Sequence, residues 1–116
     1  MNEQIRRVIA FAALSSESER AERTIYSYAL DHRTKFSGSR HDFFDHDASV
    51  RIAGSGSKLY HYGLWSYIEL NIGAEKFSGF DYGSKTHFEG VIKDNLVRLY
   101  DHAEQRYFEY ASENTT

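Results

Sequence analysis

The stretch WSYIELNIGAEKFSGFDYGSKTHFEGVI, residues 65–92, decides the fold class of this chain. In its first part, Ile68, Leu70 and Ile72 alternate with polar or aromatic residues, which places the three aliphatic side chains on one face of a β-strand. Glycine-containing turns separate this run from two further alternating runs. Short runs joined by short turns predict antiparallel neighbours, because no room is left for crossover helices.

The same pattern continues on both sides of this stretch. The runs predicted as strands are ASVRIA (48–53), KLYHYG (58–63), WSYIELNI (65–72), KFSGFDY (76–82), THFEGVI (86–92), NLVRLYD (95–101) and RYFEYA (106–111). Residues 24–30, TIYSYAL, fit either a strand or the second half of a helix. The segments YSYALDHRTKFSG (26–38) and YIELNIGAEKFSG (67–79) share several residues at a constant offset. Unless this similarity is coincidence, it favours a hairpin in each segment and hence a strand at residues 24–30. Nine tyrosines and eight phenylalanines also favour sheet.

The N-terminal segment has a helical pattern. Apolar residues recur at helical spacing behind Asn2, which is a good N-cap residue. The helix is predicted to place four of these side chains against one face of the sheet, namely Ile5, Val8, Ile9 and Ala12. The charged run that follows permits helix as far as residue 23.

These patterns predict an α+β fold in a single domain. An N-terminal helix is followed by a curved antiparallel β-meander of about five to seven strands. The expected segments are a helical N-terminal part (1–23), a mainly antiparallel sheet (24–111) and a frayed tail (112–116).

Composition excludes several classes of protein. The chain has no cysteine, so disulfides, thiol nucleophiles and thiolate metal sites are absent. This fits a reducing compartment, and we expect a soluble cytoplasmic protein. The net charge of -3 disfavours nucleic acid as a partner. No stretch approaches the roughly 20 apolar residues that a membrane span needs.

A first candidate site is RHDFFDHD, residues 40–47, which holds two imidazoles and three carboxylates. Such groups bind zinc, iron or manganese. In an extended stretch His41 and Asp45 share a face and His46 points away, whereas a helical turn would let them converge. The metal hypothesis assigns the ligands to these three residues. The alternative is a polar loop in which one of the two phenylalanines plugs the core.

A second candidate is an aromatic face on the middle strands. An ordinary exposed sheet face carries Thr, Lys and Glu, whereas tryptophan and tyrosine are typical of binding surfaces because they bury large areas and keep a polar tip. The residues predicted to bind a partner are Tyr60, Tyr62, Trp65, Tyr67, Arg98 and Tyr100. The alternative is that the helix, or closure of the sheet into a barrel, buries this face.

Three functions follow from these candidates. The first is a non-catalytic binding or assembly module that uses the aromatic face, or an unpaired sheet edge, to bind a protein partner or a second copy of itself. The second is a metal-binding protein or small metal-dependent hydrolase. The third is a curved sheet or barrel that holds a small ligand in a cavity lined by Phe and Tyr. No catalytic residue is assigned, and no cofactor other than a divalent metal is indicated.

Overall fold

The computed structural model describes residues 1–113. In this part of the chain, one helix is followed by ten strands: α1 (Glu3–Leu14), β1 (Ala21–Ser27), β2 (His32–Ser39), β3 (Asp42–Asp45), β4 (Val50–Ser55), β5 (Lys58–His61), β6 (Ser66–Ile72), β7 (Lys76–Asp81), β8 (Thr86–Lys93), β9 (Leu96–Asp101) and β10 (Arg106–Glu113). Each strand pairs antiparallel with its neighbours in sequence, and β1 also pairs with β10 to close a barrel. The N-terminal helix and the antiparallel strands are therefore confirmed. The predicted number of five to seven strands was wrong, and the curved meander closes into a barrel of ten strands.

Two kinds of turn alternate along the chain. Four-residue turns join β1 to β2, β3 to β4, β5 to β6, β7 to β8 and β9 to β10, at residues 28–31, 46–49, 62–65, 82–85 and 102–105. The last residue of each has a positive φ between 49° and 57°, although none is a glycine. Shorter connections lie at the opposite end. The barrel thus consists of five similar hairpins, with a long-turn end and a short-turn end.

The helix α1 lies in the lumen of the barrel. Residues 8–12 are fully buried, so this part of the helix exposes no face to solvent. The ring of Phe11 packs on Phe36 of β2 and Phe43 of β3, with centroids 5.0 and 4.6 Å apart. The four side chains predicted to pack on the sheet are buried, but the expectation that α1 lies on one side of the sheet was wrong because the sheet surrounds it. Closure creates a lumen, and the second half of the helix, which is apolar on all sides from residue 8 to residue 14, fills its apolar part.

Both ends of α1 are capped by side chains. The side chain of Asn2 accepts a hydrogen bond from the backbone N–H of Ile5 at 3.0 Å, which confirms the predicted N-cap. At the other end, Arg40 donates to two carbonyl oxygens of the last turn and the cap, at 3.1 and 2.7 Å. This guanidinium supplies the positive charge that a helix C-terminus favours. The helix ends at Leu14, so the predicted helical segment 1–23 was too long.

The C-terminal boundary also differs from the expectation. Strand β10 continues through residues 112–113, which pair with β1 rather than fray. The rest of the predicted tail, residues 114–116, lies outside the described part of the chain. Within the described residues, no helix has the length and apolar character needed to cross a bilayer.

Candidate functional site

The stretch RHDFFDHD forms β3 and the residues around it rather than a loop. Phe43 is buried in the core beside the lumen helix. Asp45 is also buried, and it accepts a hydrogen bond from Nε of Arg7 at 2.9 Å. Phe44 and His46 face outward, and their rings lie 5.0 Å apart. The expectation of a loop was wrong because β2 and β4 pair with this segment on both sides.

The three residues of the metal hypothesis lie in three different environments. His41 Nε2 lies 2.7 Å from the carbonyl oxygen of Gly56 at the short-turn end. His46 Nε2 lies 2.8 Å from the hydroxyl of Ser37 on the outer surface, while Asp45 faces the lumen. The structure does not bring the three side chains together. In the described part of the chain, no group of three or more His, Asp or Glu side chains is arranged to hold a metal ion.

The lumen is polar at the long-turn end. A buried polar side chain precedes each four-residue turn, and these side chains are Ser27, Asp45, His61, Asp81 and Asp101. All except the serine accept a hydrogen bond from a backbone N–H of their own turn. A side chain that satisfies turn N–H groups explains a polar residue at an inward position.

Two of these carboxylates also fix the helix in place. Asp101 accepts hydrogen bonds from Arg6 and from the N-terminal ammonium group, both at 3.0 Å, and Asp45 pairs with Arg7. Burial alone would raise the pKa of Asp101, but the ammonium group, the Glu104 N–H and Arg6 hold it below the usual value. These buried ion pairs attach α1 to β3 and β9, so their role is structural.

His61 is the exception in this ring of polar side chains. Its Nδ1 accepts a hydrogen bond from the Leu64 N–H at 3.0 Å, which places the proton of the neutral imidazole on Nε2. That Nε2 is buried and has no partner in the described part of the chain. Burial lowers the pKa of His61, although nearby Asp45 acts in the opposite direction. The imidazole is therefore neutral at pH 7 and carries an unsatisfied donor.

The outer surface at the long-turn end carries an aromatic belt. Each hairpin contributes two rings in edge-to-face contact, at centroid distances of 4.8 to 5.0 Å: Tyr26–Tyr28, Phe44–His46, Tyr60–Tyr62, Phe80–Tyr82 and Tyr100–His102. The facing strand adds a third group: Arg33, Arg51, Tyr67, His87 or Tyr107. Sequence reasoning found only part of this belt. The signal that reveals the rest is a repeated triplet in which a polar residue stands between an aromatic residue and a Tyr or His.

The predicted binding residues fall into two clusters of this belt. Tyr60, Tyr62, Trp65 and Tyr67 belong to the β5–β6 hairpin, while Arg98 and Tyr100 are on β9. Strands β7 and β8 separate the clusters, so the six side chains do not form one face. The alternative that the helix or barrel closure buries the face was wrong. Closure points these rings outward, and Trp65 is 75% exposed.

We call Tyr60, Tyr62, Trp65 and Tyr67 the Trp65 patch. The ring of Tyr60 lies 4.8 Å from both Tyr62 and Tyr67. Trp65 is the last residue of the turn, with φ of 54°. A bulky side chain is uncommon in this left-handed region, which costs about 1–2 kcal/mol for a residue with a Cβ. Lys58 and Glu69 lie opposite each other in the same pair of strands.

Comparison with known proteins gives no relative for this chain. No protein-family model, curated protein or solved structure matches it. Within the described residues, two features are candidates for function: the Trp65 patch and a small cavity at the short-turn end.

Proposed function

We propose that this chain is a non-catalytic binding module that associates with a second copy of itself through the Trp65 patch. The observation that carries the proposal is the 75% exposure of Trp65. A tryptophan left in water stabilises the fold little. Its exposure makes sense if the ring is buried when a partner binds, because tryptophan and tyrosine are among the residues most enriched at the energetic centres of interfaces.

The chemistry of the patch suits a second copy of the chain. Its tyrosines combine apolar rings with hydroxyl groups, so the same surface offers both packing and hydrogen bonds. Beside them, Lys58 and Glu69 carry opposite charges on adjacent strands. A two-fold interface brings the same patch of both subunits together. A two-fold axis through the patch would bring Lys58 of each copy towards Glu69 of the other.

Light scattering on a size-exclusion column tests this proposal. We expect the wild-type chain to have twice the mass of one chain at high concentration, and Trp65→Gln to run as a single chain. The control is Leu30→Gln, which removes an apolar side chain that is 57% exposed on the β1–β2 turn. That variant should dimerise like the wild type.

Two results would contradict the proposal. In one, the wild type has the mass of a single chain at every concentration. In the other, Trp65→Gln and Leu30→Gln weaken association equally, which would indicate non-specific association through exposed apolar turn residues rather than binding by a specific patch.

A further inference from the structure

A cavity of about 240 Å³ opens at the short-turn end of the barrel, where the chain leaves the lumen after α1. Its apolar wall is formed by Leu59 and Leu70, which point inward from β5 and β6, and by Ile72. Its polar rim includes Arg40 and Glu17. The volume is below the roughly 300–1,000 Å³ of sites for drug-sized ligands, so it fits a smaller molecule.

Arg40 is held rigidly at this rim. Its Nε and Nη2 donate to the carbonyl oxygens of Ala12 and Ser15, at 3.1 and 2.7 Å, and its side chain is largely buried. The third nitrogen, Nη1, has a weaker partner. It lies 3.8 Å from a carboxylate oxygen of Glu17, which is too long for a hydrogen bond.

The ion pair between the Glu17 carboxylate and Nη1 of Arg40 is weak. The Glu17 side chain is mostly exposed, and an exposed ion pair without a hydrogen bond is worth little. We expect a ligand carboxylate that accepts a hydrogen bond from Nη1 of Arg40 to displace Glu17, because a charge-assisted hydrogen bond is shorter and stronger than an ion pair at 3.8 Å. The aliphatic tail attached to the carboxylate would then pack against the apolar wall.

We propose that this cavity binds a small carboxylic acid, with its carboxylate on Arg40 and its aliphatic tail against Leu59, Leu70 and Ile72. The site is separate from the Trp65 patch at the other end of the barrel. The binding of a carboxylic acid can therefore be tested independently of self-association. The site also differs from the ligand site expected from the sequence, which was a cavity lined by Phe and Tyr and enclosed by the curved sheet or barrel. The lumen of the barrel is filled by α1.

Hexanoate and its neutral analogue hexanol are suitable probes, followed by the methyl NMR signals of Leu59, Leu70 and Ile72. We expect hexanoate to shift these signals with saturation at one molecule per chain. Hexanol should bind at least about ten-fold more weakly, because it cannot form the charged hydrogen bond to Arg40.

The variant that decides the question is Glu17→Gln. It removes the competing carboxylate without disturbing Arg40 on the helix end, and it should tighten hexanoate binding by about two- to five-fold, the range of an exposed ion pair. Hexanol binding should not change. The matched control is Glu19→Gln, which alters an exposed glutamate in the same segment outside the cavity and should leave both affinities unchanged.

The proposal is overturned if hexanoate leaves the three methyl signals unmoved. It is equally overturned if hexanoate and hexanol bind alike, or if Glu17→Gln has no more effect than Glu19→Gln. Arg40→Gln should weaken hexanoate binding by about ten-fold or more, but this variant also loses bonds to the helix end. The Glu17→Gln result therefore decides the question whether or not Arg40→Gln folds.

Discussion

The hairpins β5–β6 and β9–β10 have the same outer architecture. In the first, Tyr60 faces Tyr67 across the strands at a centroid distance of 4.8 Å. In the second, Tyr100 faces Tyr107 at 4.9 Å. Tyr67 and Tyr107 are each 52% exposed. The scaffold therefore places equivalent rings in equivalent positions, and any difference in function has to come from other residues.

The two hairpins differ at the inner side and at the tip of the turn. On the inner side, Asp101 of β9 binds Arg6 of the helix, whereas His61 of β5 has a buried nitrogen with no partner in the described residues. At the tip, Gln105 of the second hairpin corresponds to Trp65 of the first. We infer that β9–β10 holds the helix through Asp101, while β5–β6 leaves Trp65 exposed and available for binding.

Substitutions on the inner side are expected to give the largest difference in stability between the two hairpins. Asp101→Ala should lower the free energy of unfolding by about 3–5 kcal/mol, because it leaves the buried N-terminal ammonium group without its ion-pair partner and removes one of the two carboxylates that pair with Arg6. His61→Asn should change it by less than about 1.5 kcal/mol, since the new amide oxygen is positioned to accept the turn N–H and an unsatisfied donor is present both before and after the change. Urea unfolding measures both. Equal losses from the two variants would show that the hairpins contribute alike to the attachment of α1.

A change of pH is expected to have a smaller effect on stability, through His61. Because burial lowers the pKa of His61 in the folded state, the unfolded chain binds the proton more readily. The stability contributed by neutral His61 is fully present above the unfolded pKa of about 6.5 and is lost as the pH falls through the lower folded value. The slope from this one group is at most about 1.4 kcal/mol per pH unit.

The variant His61→Asn isolates this contribution. Unfolding free energies measured from pH 7.5 downward should fall less steeply for the variant than for the wild type. Parallel curves for the two proteins would mean that His61 does not titrate differently in the folded and unfolded states.

The smallest effect on stability is expected from the outer rings. Tyr67→Thr and Tyr107→Thr should each cost about 0.5–1 kcal/mol of cross-strand aromatic contact. The cost at Tyr107 should be slightly larger, because Arg98 lies 4.1 Å from its ring centroid. Only Tyr67→Thr should weaken self-association. If Tyr107→Thr weakens it as much in light scattering, then the whole belt, rather than the Trp65 patch, carries the interaction.

The helix and the alternation of the middle strands could be predicted from the sequence because both are local. Asn2 is a capping residue before an apolar run, and Ile68 and Leu70 alternate with outward residues as expected. The lumen position of α1 was missed because only one stripe was considered. The apolar residues Ala10, Phe11 and Ala13 complete an apolar surface on all sides.

Closure of the barrel could not be predicted because one of its strands has little local strand character. Strand β3 is only four residues long, and both its ends are aspartates. It becomes a strand through pairing on both edges, and Asp45 is tolerated inside because Arg7 of the helix reaches it. Both of these reasons are tertiary contacts.

The similarity between residues 26–38 and 67–79 led to two hairpins that exist, yet it is not the structural repeat. The KFSG of β2 leads away from a four-residue turn, whereas the KFSG of β7 leads into one. The matching letters therefore run in opposite directions along the barrel. The true repeat unit is the hairpin with its buried polar residue, and it was hidden because that residue varies among Ser, Asp and His.

The account depends most on the burial of Trp65 between two copies of the chain, and the sole tryptophan reports on this directly. The measurement is its fluorescence emission and acrylamide quenching from about 1 mM to about 1 μM protein, which covers association free energies of about -4 to -8 kcal/mol. The prediction is emission at shorter wavelength with protection from quenching at high concentration, both lost on dilution. Emission and quenching typical of a solvent-exposed indole at every concentration would contradict the account.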